Sequence, residues 1–246
     1  MPKCLVIIPT YNEKENIESI LKAIISLNEG YHVLVVDDAS PDGTAKLVKG
    51  FAANNPEVFL LERSGKLGLG TAYIEGFKWG LEKGYDFLFE MDADFSHSPD
   101  MLPALLNACS KDGVGMSVGS RYTSGGKVEN WPLARIMMSY FASVYVRMVL
   151  WLSIRDTTAG FVCYRSSVLK EMDFEQIEFV GYAFQIEMKY AVHLLGYDIK
   201  EVPITFKDRI VGVSKMSTAI FNEAFIGVWK MRRKGSKKDA YRNSVN

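Results

Sequence analysis

The 246-residue chain is 48% hydrophobic and 24% charged, with 29 basic side chains against 29 acidic ones. That length and composition supply a sizeable globular core and exclude intrinsic disorder and fibrous architectures. A formal net charge of zero argues against a nucleic-acid partner, which calls for a clear basic excess.

The chain enters its first strand almost at once. Leu5-Val6-Ile7-Ile8 is too short a run for the apolar region of a signal peptide. Apolar runs at 4–8, 33–36, 58–61, 87–91 and 114–118 have the length and lack of alternation of buried parallel strands. Helical patterns lie between them. Ile17, Ile20, Leu21, Ile24 and Leu27 share one face, with Asn12 and Glu15 placed in front like a capping pair. Segments 44–54, 70–83 and 99–108 supply the next helices. This alternation predicts an α/β sandwich of three layers around a mostly parallel sheet, with ligands beyond the carboxyl ends of the strands. After residue 120 the pattern changes. Residues 136–154 are almost wholly apolar, a strand-like run follows at 160–165, and a helix is expected near 184–195. A strand pair around 199–206 and a last helix at 217–233 lead into a basic tail. No repeat or linker divides these parts. The expectation is a single domain over 1–246, with an amphipathic interfacial insertion at 123–155 and a basic tail at 234–246. Cys4, Cys109 and Cys163 offer neither a disulfide framework nor a CxxC metal spacing, which fits a reduced intracellular compartment.

Polar residues cluster just after the strands. Thr10, Tyr11, Asn12 and Glu13 follow the first, Asp37, Asp38 and Asp42 the second, and Asp92 and Asp94 the fourth. Asn12 and Asp42 also suit plain helix capping, and a lone Asp-x-Asp is more often a solvated loop. Three acidic clusters at one sheet edge repel one another unless a cation or a hydroxyl-rich ligand sits among them. Hard oxygen ligands select Mg²⁺ or Mn²⁺, ions that bridge to substrate phosphates. Competing nucleotide motifs fail: Tyr73 stands where a dinucleotide fingerprint needs its third glycine, and Gly65-Lys66 lacks the earlier glycine of a P-loop. His32, His97 and His193 read as surface or packing residues. A Mg²⁺-binding receiver-like signalling module would place its aspartate pair after the first strand, whereas here it follows the second.

Taken together, VIIPTYNEKENI, VVDDASPDGT, GKLGLGTAYIEGF, MDADFSHSP, GSRY, TTAGFVCYR and DRIVGVSK resemble the family-2 inverting glycosyltransferases with a GT-A-like fold. More narrowly, they resemble the dolichol- or polyprenol-phosphate mannose synthases. The resemblance implies transfer of mannose from GDP-mannose to a polyprenyl or dolichyl phosphate, giving a β-mannosyl phosphoryl polyprenol. It implies donor contacts at Pro9, Tyr11, Glu13, Val36, Asp38, Asp92, Ala93, Asp94, Arg209 and Lys215. It places a Mg²⁺ or Mn²⁺ ion on Asp94 and Ser96, and the acceptor phosphate on Arg121, Arg135 and Ser139. Asp92, Asp94 and Arg121 would then carry the reaction. UDP-glucose and UDP-N-acetylglucosamine remain as alternative donors, because strand-end motifs do not spell out base or sugar. A phosphate acceptor is already anionic near neutral pH, its second pKa being about 6, so it needs positioning and no general base.

In the apolar stretch, Arg135, Ser139, Ser143 and Arg147 recur every fourth residue and draw one polar stripe down the helix. A charge such as Arg147 inside a bilayer costs on the order of 3 kcal/mol. A helix lying in the membrane surface, its stripe turned toward the site, fits better than a span. Lys230, Arg232, Arg233, Lys234, Lys237, Lys238 and Arg242 then add attraction to anionic lipid. The expectation is a peripheral protein on the cytoplasmic face of a membrane. Relatives with C-terminal transmembrane helices differ from this chain, which leaves room for a separate membrane-anchoring subunit.

Overall fold

The computed structural model describes residues 2–27, 29–181, 183–208, 218–237 and 239–243, with the backbone alone for 218–224. Strands β1 (Cys4–Thr10), β2 (Tyr31–Asp37), β3 (Val58–Glu62), β4 (Phe87–Glu90) and β5 (Val114–Ser120) occur much where the apolar runs predict them. A short β6 (Lys127–Glu129) is followed by β7 (Val162–Arg165), β8 (Asp198–Pro203) and β9 (Thr205–Lys207). Seven strands form one sheet in the order β3-β2-β1-β4-β7-β5-β8, and β6 pairs with β9 in a separate parallel ribbon. Every pairing in the large sheet is parallel except those of β7, which runs antiparallel to both β4 and β5. The beginning of β7 therefore joins the carboxyl edge of the parallel strands. Register fixes that edge: Thr10 lies beside Asp37, Glu90 beside Val162, Val162 beside Val118, and Ser120 beside Pro203.

Both sheet faces are covered, which is why the strands read as continuous apolar runs. Val6 and Ile8 of β1 point into a core with helices α1 (Ile17–Ile25), α2 (Thr44–Ala52) and α4 (Leu102–Cys109). Leu5 and Ile7 point the other way, onto α3 (Leu69–Glu82), α5 (Leu133–Leu150), α6 (Ser166–Glu171), α7 (Ala183–Leu194) and α8 (Thr218–Gly235). Close approach of α3 to the sheet needs glycine at its contact points. A Cβ at Gly76 would stand 2.6 Å from Ile7 Cγ2, and one at Gly80 2.5 Å from Leu88 Cδ2.

Several expectations change. Asn12 does not cap α1: its backbone takes φ 59° and its N–H donates to Ser40, while the Glu13 carbonyl accepts from Asn16 and Ile17. The helix expected at 99–108 is broken into a 3-10 turn, Pro99–Met101, and α4. Pro103 falls in the first turn of α4, where its missing N–H costs nothing. The insertion at 123–155 combines the extended β6, which pairs with β9, with the helix α5. The described residues of the basic tail are fastened to the core. Tyr241 is buried and donates to Glu187 (3.0 Å), Arg242 pairs with Glu171 (2.8 Å), and Lys234 pairs with Glu178 (2.7 Å). All three cysteines are free and buried.

Candidate active site

Three loops leave the carboxyl edge through left-handed turns at non-glycine residues: Asn12 (φ 59°) after β1, Ala39 (φ 54°) after β2 and Phe95 (φ 60°) after β4. Each costs on the order of 1 kcal/mol, and such outliers cluster where a ligand needs a fixed loop shape. Hydrogen bonds hold the first two turns. Asp37 accepts from Thr10 Oγ1 (2.8 Å), Ser40 N (2.8 Å) and Ser40 Oγ (2.6 Å). Asp42 precedes the N-cap Gly43 of α2 and accepts from Thr44 N (3.0 Å) and Thr44 Oγ1 (2.6 Å), and it also accepts from Lys14 N (3.1 Å). Burial works against its charge, but these bonds outweigh it and lower its pKa.

Among the expected donor residues, Pro9 lies beside Val36 in the sheet. Tyr11 follows, with the Lys66 ammonium 4.5 Å from its ring centre. Glu13 accepts from Asn16 Nδ2 (3.1 Å), and its N–H donates to Thr44 Oγ1 (3.1 Å). Val36 is fully buried with its side chain in the core, so only its backbone reaches the edge. The Asp38 carboxylate is engaged within the protein: Oδ1 accepts from Arg63 (2.8 Å), and Oδ2 accepts from the N–H groups of Leu67 (3.1 Å) and Gly68 (3.4 Å). This clamp fixes the loop leading into α3. Arg209 and Lys215 lie outside the described residues.

After β4 come Asp92, Ala93 and Asp94. Asp92 is half-exposed, whereas Ala93, Asp94 and Ser96 are buried, and Ser96 N donates to Asp94 Oδ1 (3.0 Å). Among the described residues no group of three or more His, Cys, Asp or Glu side chains could cage a metal. Two carboxylates and a hydroxyl fit a hard cation that takes its remaining oxygens from a diphosphate and water. His97 closes this loop. It is buried, stacks on Phe161 (5.0 Å) and accepts from Asp92 N at Nδ1 (3.4 Å). Burial pulls its pKa down to about 4, with Asp94 opposing. The imidazole is therefore neutral and a packing residue, as its sequence context suggests.

The residues expected to hold the acceptor converge at the other half of the edge, beyond β7. Arg121 leaves β5 and is buried against Asp156, which accepts from Arg121 Nε (2.7 Å), from its terminal Nη2 (2.7 Å) and from its backbone N–H (2.9 Å). Desolvation opposes both charges. Their attraction prevails, raising the Arg121 pKa and lowering that of Asp156. Arg135, in the first turn of α5, pairs with Asp208 (3.3 Å). The Trp131 ring links the two arginines, lying 3.9 Å from the Arg135 guanidinium and 5.6 Å from that of Arg121. Ser139, one turn on, lies beside the Tyr122 hydroxyl, whose pKa is raised chiefly by burial. Phe206 touches His97 (5.5 Å), Arg121 (5.5 Å) and Trp131 (5.2 Å). The carboxylate loop and the arginine pair are thus one continuous surface.

Sequence reasoning missed Asp156, Trp131, Phe206 and a buried network below the edge. In that network Glu90 accepts from Tyr164 (3.0 Å) and Gln185 (2.5 Å), and Lys189 donates to the Ala159 (2.7 Å) and Gln185 (3.1 Å) carbonyls. Burial raises Glu90 to about 7 and lowers Lys189 to about 8, each partly offset by the other's charge. Asp156 stands one residue before the quoted TTAGFVCYR run, and an acid beside that run was the available signal. Glu187 and Lys189 sit inside α7, the helix expected near 184–195.

A family model described as "Glycosyl transferase family 2" matches residues 5–173. The "Undecaprenyl-phosphate mannosyltransferase" of Micrococcus luteus is 48% identical over 226 residues, covering 92% of each chain. The "Polyprenol monophosphomannose synthase" of Mycolicibacterium smegmatis is 45% identical over 233 residues, covering 94% of this chain and 88% of its own. Among solved structures, glucosyl-3-phosphoglycerate synthase from Mycobacterium tuberculosis, in complex with Mn²⁺, UDP and glucosyl-3-phosphoglycerate, superposes with a TM-score of 0.64 at 17% identity. That match covers 94% of this chain and 80% of the other. Mannosyltransferase PcManGT from Pyrobaculum calidifontis, in complex with GDP-Man and Mn²⁺, gives 0.59 at 18% identity, over 95% of this chain and 61% of that one. At these identities the likeness is one of fold, and the fold is GT-A-like.

Proposed function

The chain belongs to glycosyl transferase family 2, and from that premise we propose that it transfers mannose from GDP-mannose to a polyprenyl phosphate with inversion. The observation that carries this reading is one sheet edge that brings a carboxylate pair, Asp92 and Asp94, near two arginines, Arg121 and Arg135. The first pair suits a diphosphate, and the second suits a phosphate monoester. Relatives at 48% and 45% identity are named for undecaprenyl-phosphate and polyprenol-phosphate mannosyl transfer.

Asp37 and Asp38 hold the strand-end turns in shape, so that Tyr11 and Glu13 are fixed where the donor's base and ribose would bind. Asp92, Asp94 and Ser96 would hold Mg²⁺ or Mn²⁺, which when bound neutralises the leaving diphosphate. Arg121, fixed by Asp156, and Arg135 orient the acceptor phosphate behind the anomeric carbon. A phosphate oxygen forms the new bond to that carbon as the bond to GDP breaks, and its electron pair leaves on the diphosphate. Attack from the opposite face inverts the centre, and the acceptor oxygen has no proton to surrender.

The lipid end is served by α5 and α8. Phe141 is 59% exposed and Trp151 72%, while Ser143 on the polar stripe is fully buried. The apolar side faces outward and the stripe faces the protein. Phe225, Ile226 and Trp229 of α8 extend the same exposed surface, with Tyr145 stacked on Phe225 at 4.6 Å. Beyond them a cavity of about 560 Å³ is lined by Lys230, Arg233 and Lys237 together with the carboxylates Asp173, Glu178 and Asp239. This is the pattern of a helix pair resting in a membrane surface with cations at headgroup level.

The test is a donor screen with labelled GDP-mannose, UDP-glucose and UDP-N-acetylglucosamine against farnesyl phosphate. The expected outcome is a β-linked mannosyl phosphate lipid from GDP-mannose alone, lost in EDTA and restored by Mg²⁺ or Mn²⁺. Preferred use of a UDP-sugar would overturn the donor assignment, and undiminished turnover in EDTA would overturn the metal.

A further inference from the structure

The contacts around Trp131 account for its ring and leave its nitrogen unexplained. The ring meets Arg135 at 3.9 Å, Arg121 at 5.6 Å and the edge of Phe206 at 5.2 Å. Such contacts with cations are a normal use of an indole face. Nε1, however, is shut off from solvent and donates to no acceptor among the described residues. An indole N–H can only donate, and nearly all buried donors have a partner because leaving one unmet is costly. The carboxylates of this cluster are committed elsewhere: Asp156 is bonded through both oxygens to Arg121, and Asp208 is paired with Arg135. An anion bound by the two guanidiniums would stand next to the indole and bring the missing acceptor.

We infer that Trp131 is a phosphate-binding residue of the acceptor subsite. Its indole N–H donates to an oxygen of the incoming phosphate monoester, while its ring holds the Arg135 guanidinium in place. This rests on the acceptor reading above and adds a neutral, directional donor between two charges. Arginines attract any anion from a distance, whereas an N–H fixed by its ring rewards one position of one oxygen. The ring and the Asp208 carboxylate together hold the part-exposed Arg135 guanidinium in place.

The full-length chain and two variants test this. Trp131→Phe keeps an aromatic face for Arg135 and removes the N–H, and Trp131→Ala removes both. Four tryptophans give four indole N–H signals in a nitrogen-15 spectrum, and Trp131→Phe identifies the one in question. Farnesyl phosphate added without donor should shift that signal, while farnesol should leave it in place and inorganic phosphate should shift it at higher concentration. In turnover, Trp131→Phe should raise the KM for farnesyl phosphate about tenfold, the size of one hydrogen bond to a charged group. Affinity for GDP-mannose and the melting temperature should not change. Trp131→Ala should raise that KM further. An unmoved Trp131 signal at saturating farnesyl phosphate, or an unchanged acceptor KM in Trp131→Phe, overturns the inference even if Trp131→Ala fails to fold. If the wild-type chain cannot transfer mannose to farnesyl phosphate, the proposed function fails first. Transfer with an unmoved signal overturns the role of Trp131 alone.

Discussion

Arg121 and Asp156 are buried together, and each is tolerable only because of the other. Removing one partner of such a pair strands a charge, at a cost of about 3–5 kcal/mol. Asp156→Asn should therefore lower the urea midpoint sharply. Its pH behaviour should change as well. Asp156 has a lowered pKa in the fold, so its contribution is present above the unfolded carboxylate value near 4 and is lost as pH falls through the folded one. The wild-type protein should lose stability on acidification below about pH 4, and the Asn variant should show a shallower loss. Asp94 belongs to the same scale with the opposite character. It accepts from Ser96 N within its own loop at the sheet edge, and Asp94→Ala should abolish transfer while the melting temperature stays near wild type. An active Asp94→Ala enzyme would remove the cation from the donor site.

At the scale of elements, α3 and α5 show two ways in which a helix face is specified. In α3 the contact with β1 is set by what is missing. Gly76→Ala would put a Cβ 2.6 Å from Ile7 Cγ2, an overpacking that costs about 1–3 kcal/mol. That outweighs the gain of about 1 kcal/mol that alanine makes in a helix, and chemical denaturation should show a net loss. In α5 the outward face is apolar although no protein covers it in the described residues. A helix of this length and composition would suit a membrane span, but its polar stripe points into the protein, where Ser143 is buried. Phe141→Asp combined with Met148→Asp should therefore release the protein from vesicles and leave its melting temperature unchanged. A collapsed melting temperature with intact vesicle binding would make α5 a core helix.

For the whole molecule, the sheet divides the proposed work between its two halves. The loops after β1, β2 and β4 suit the donor, the ends of β5 and α5 suit the acceptor phosphate, and antiparallel β7 joins the halves. Arg135→Ala should raise the KM for a polyprenyl phosphate while calorimetry finds GDP-mannose affinity unchanged. Equal loss of both would place Arg135 in the donor site or in the fold. The exposed faces of α5 and α8, with the cations of the 230–242 segment, should make vesicle binding stronger on anionic lipid. Salt should weaken that electrostatic share and leave the apolar share, because screening acts only on charge.

The sequence by itself determined the layers, the positions of the strands in the first half and the edge where chemistry gathers. Those depend on local signals: buried parallel strands are continuous apolar runs, and strand-end loops carry polar residues at short spacing. It also determined the inward stripe of α5, since a fourfold spacing fixes a helix face whatever lies opposite. Tertiary structure alone decided the rest. That Asp156 answers Arg121, 35 residues away, depends on β7 reversing direction within the sheet, which no local pattern encodes. Trp131 and Phe206 meet because β6 and β9 pair across a wide gap in the chain. Asp38 is held in an ion pair because Arg63, beyond β3, folds back over β2. The basic tail is fastened because Tyr241 reaches Glu187 inside the core. A charge's partner is set by three-dimensional proximity, whereas a strand or a helix face is set by the residues within it.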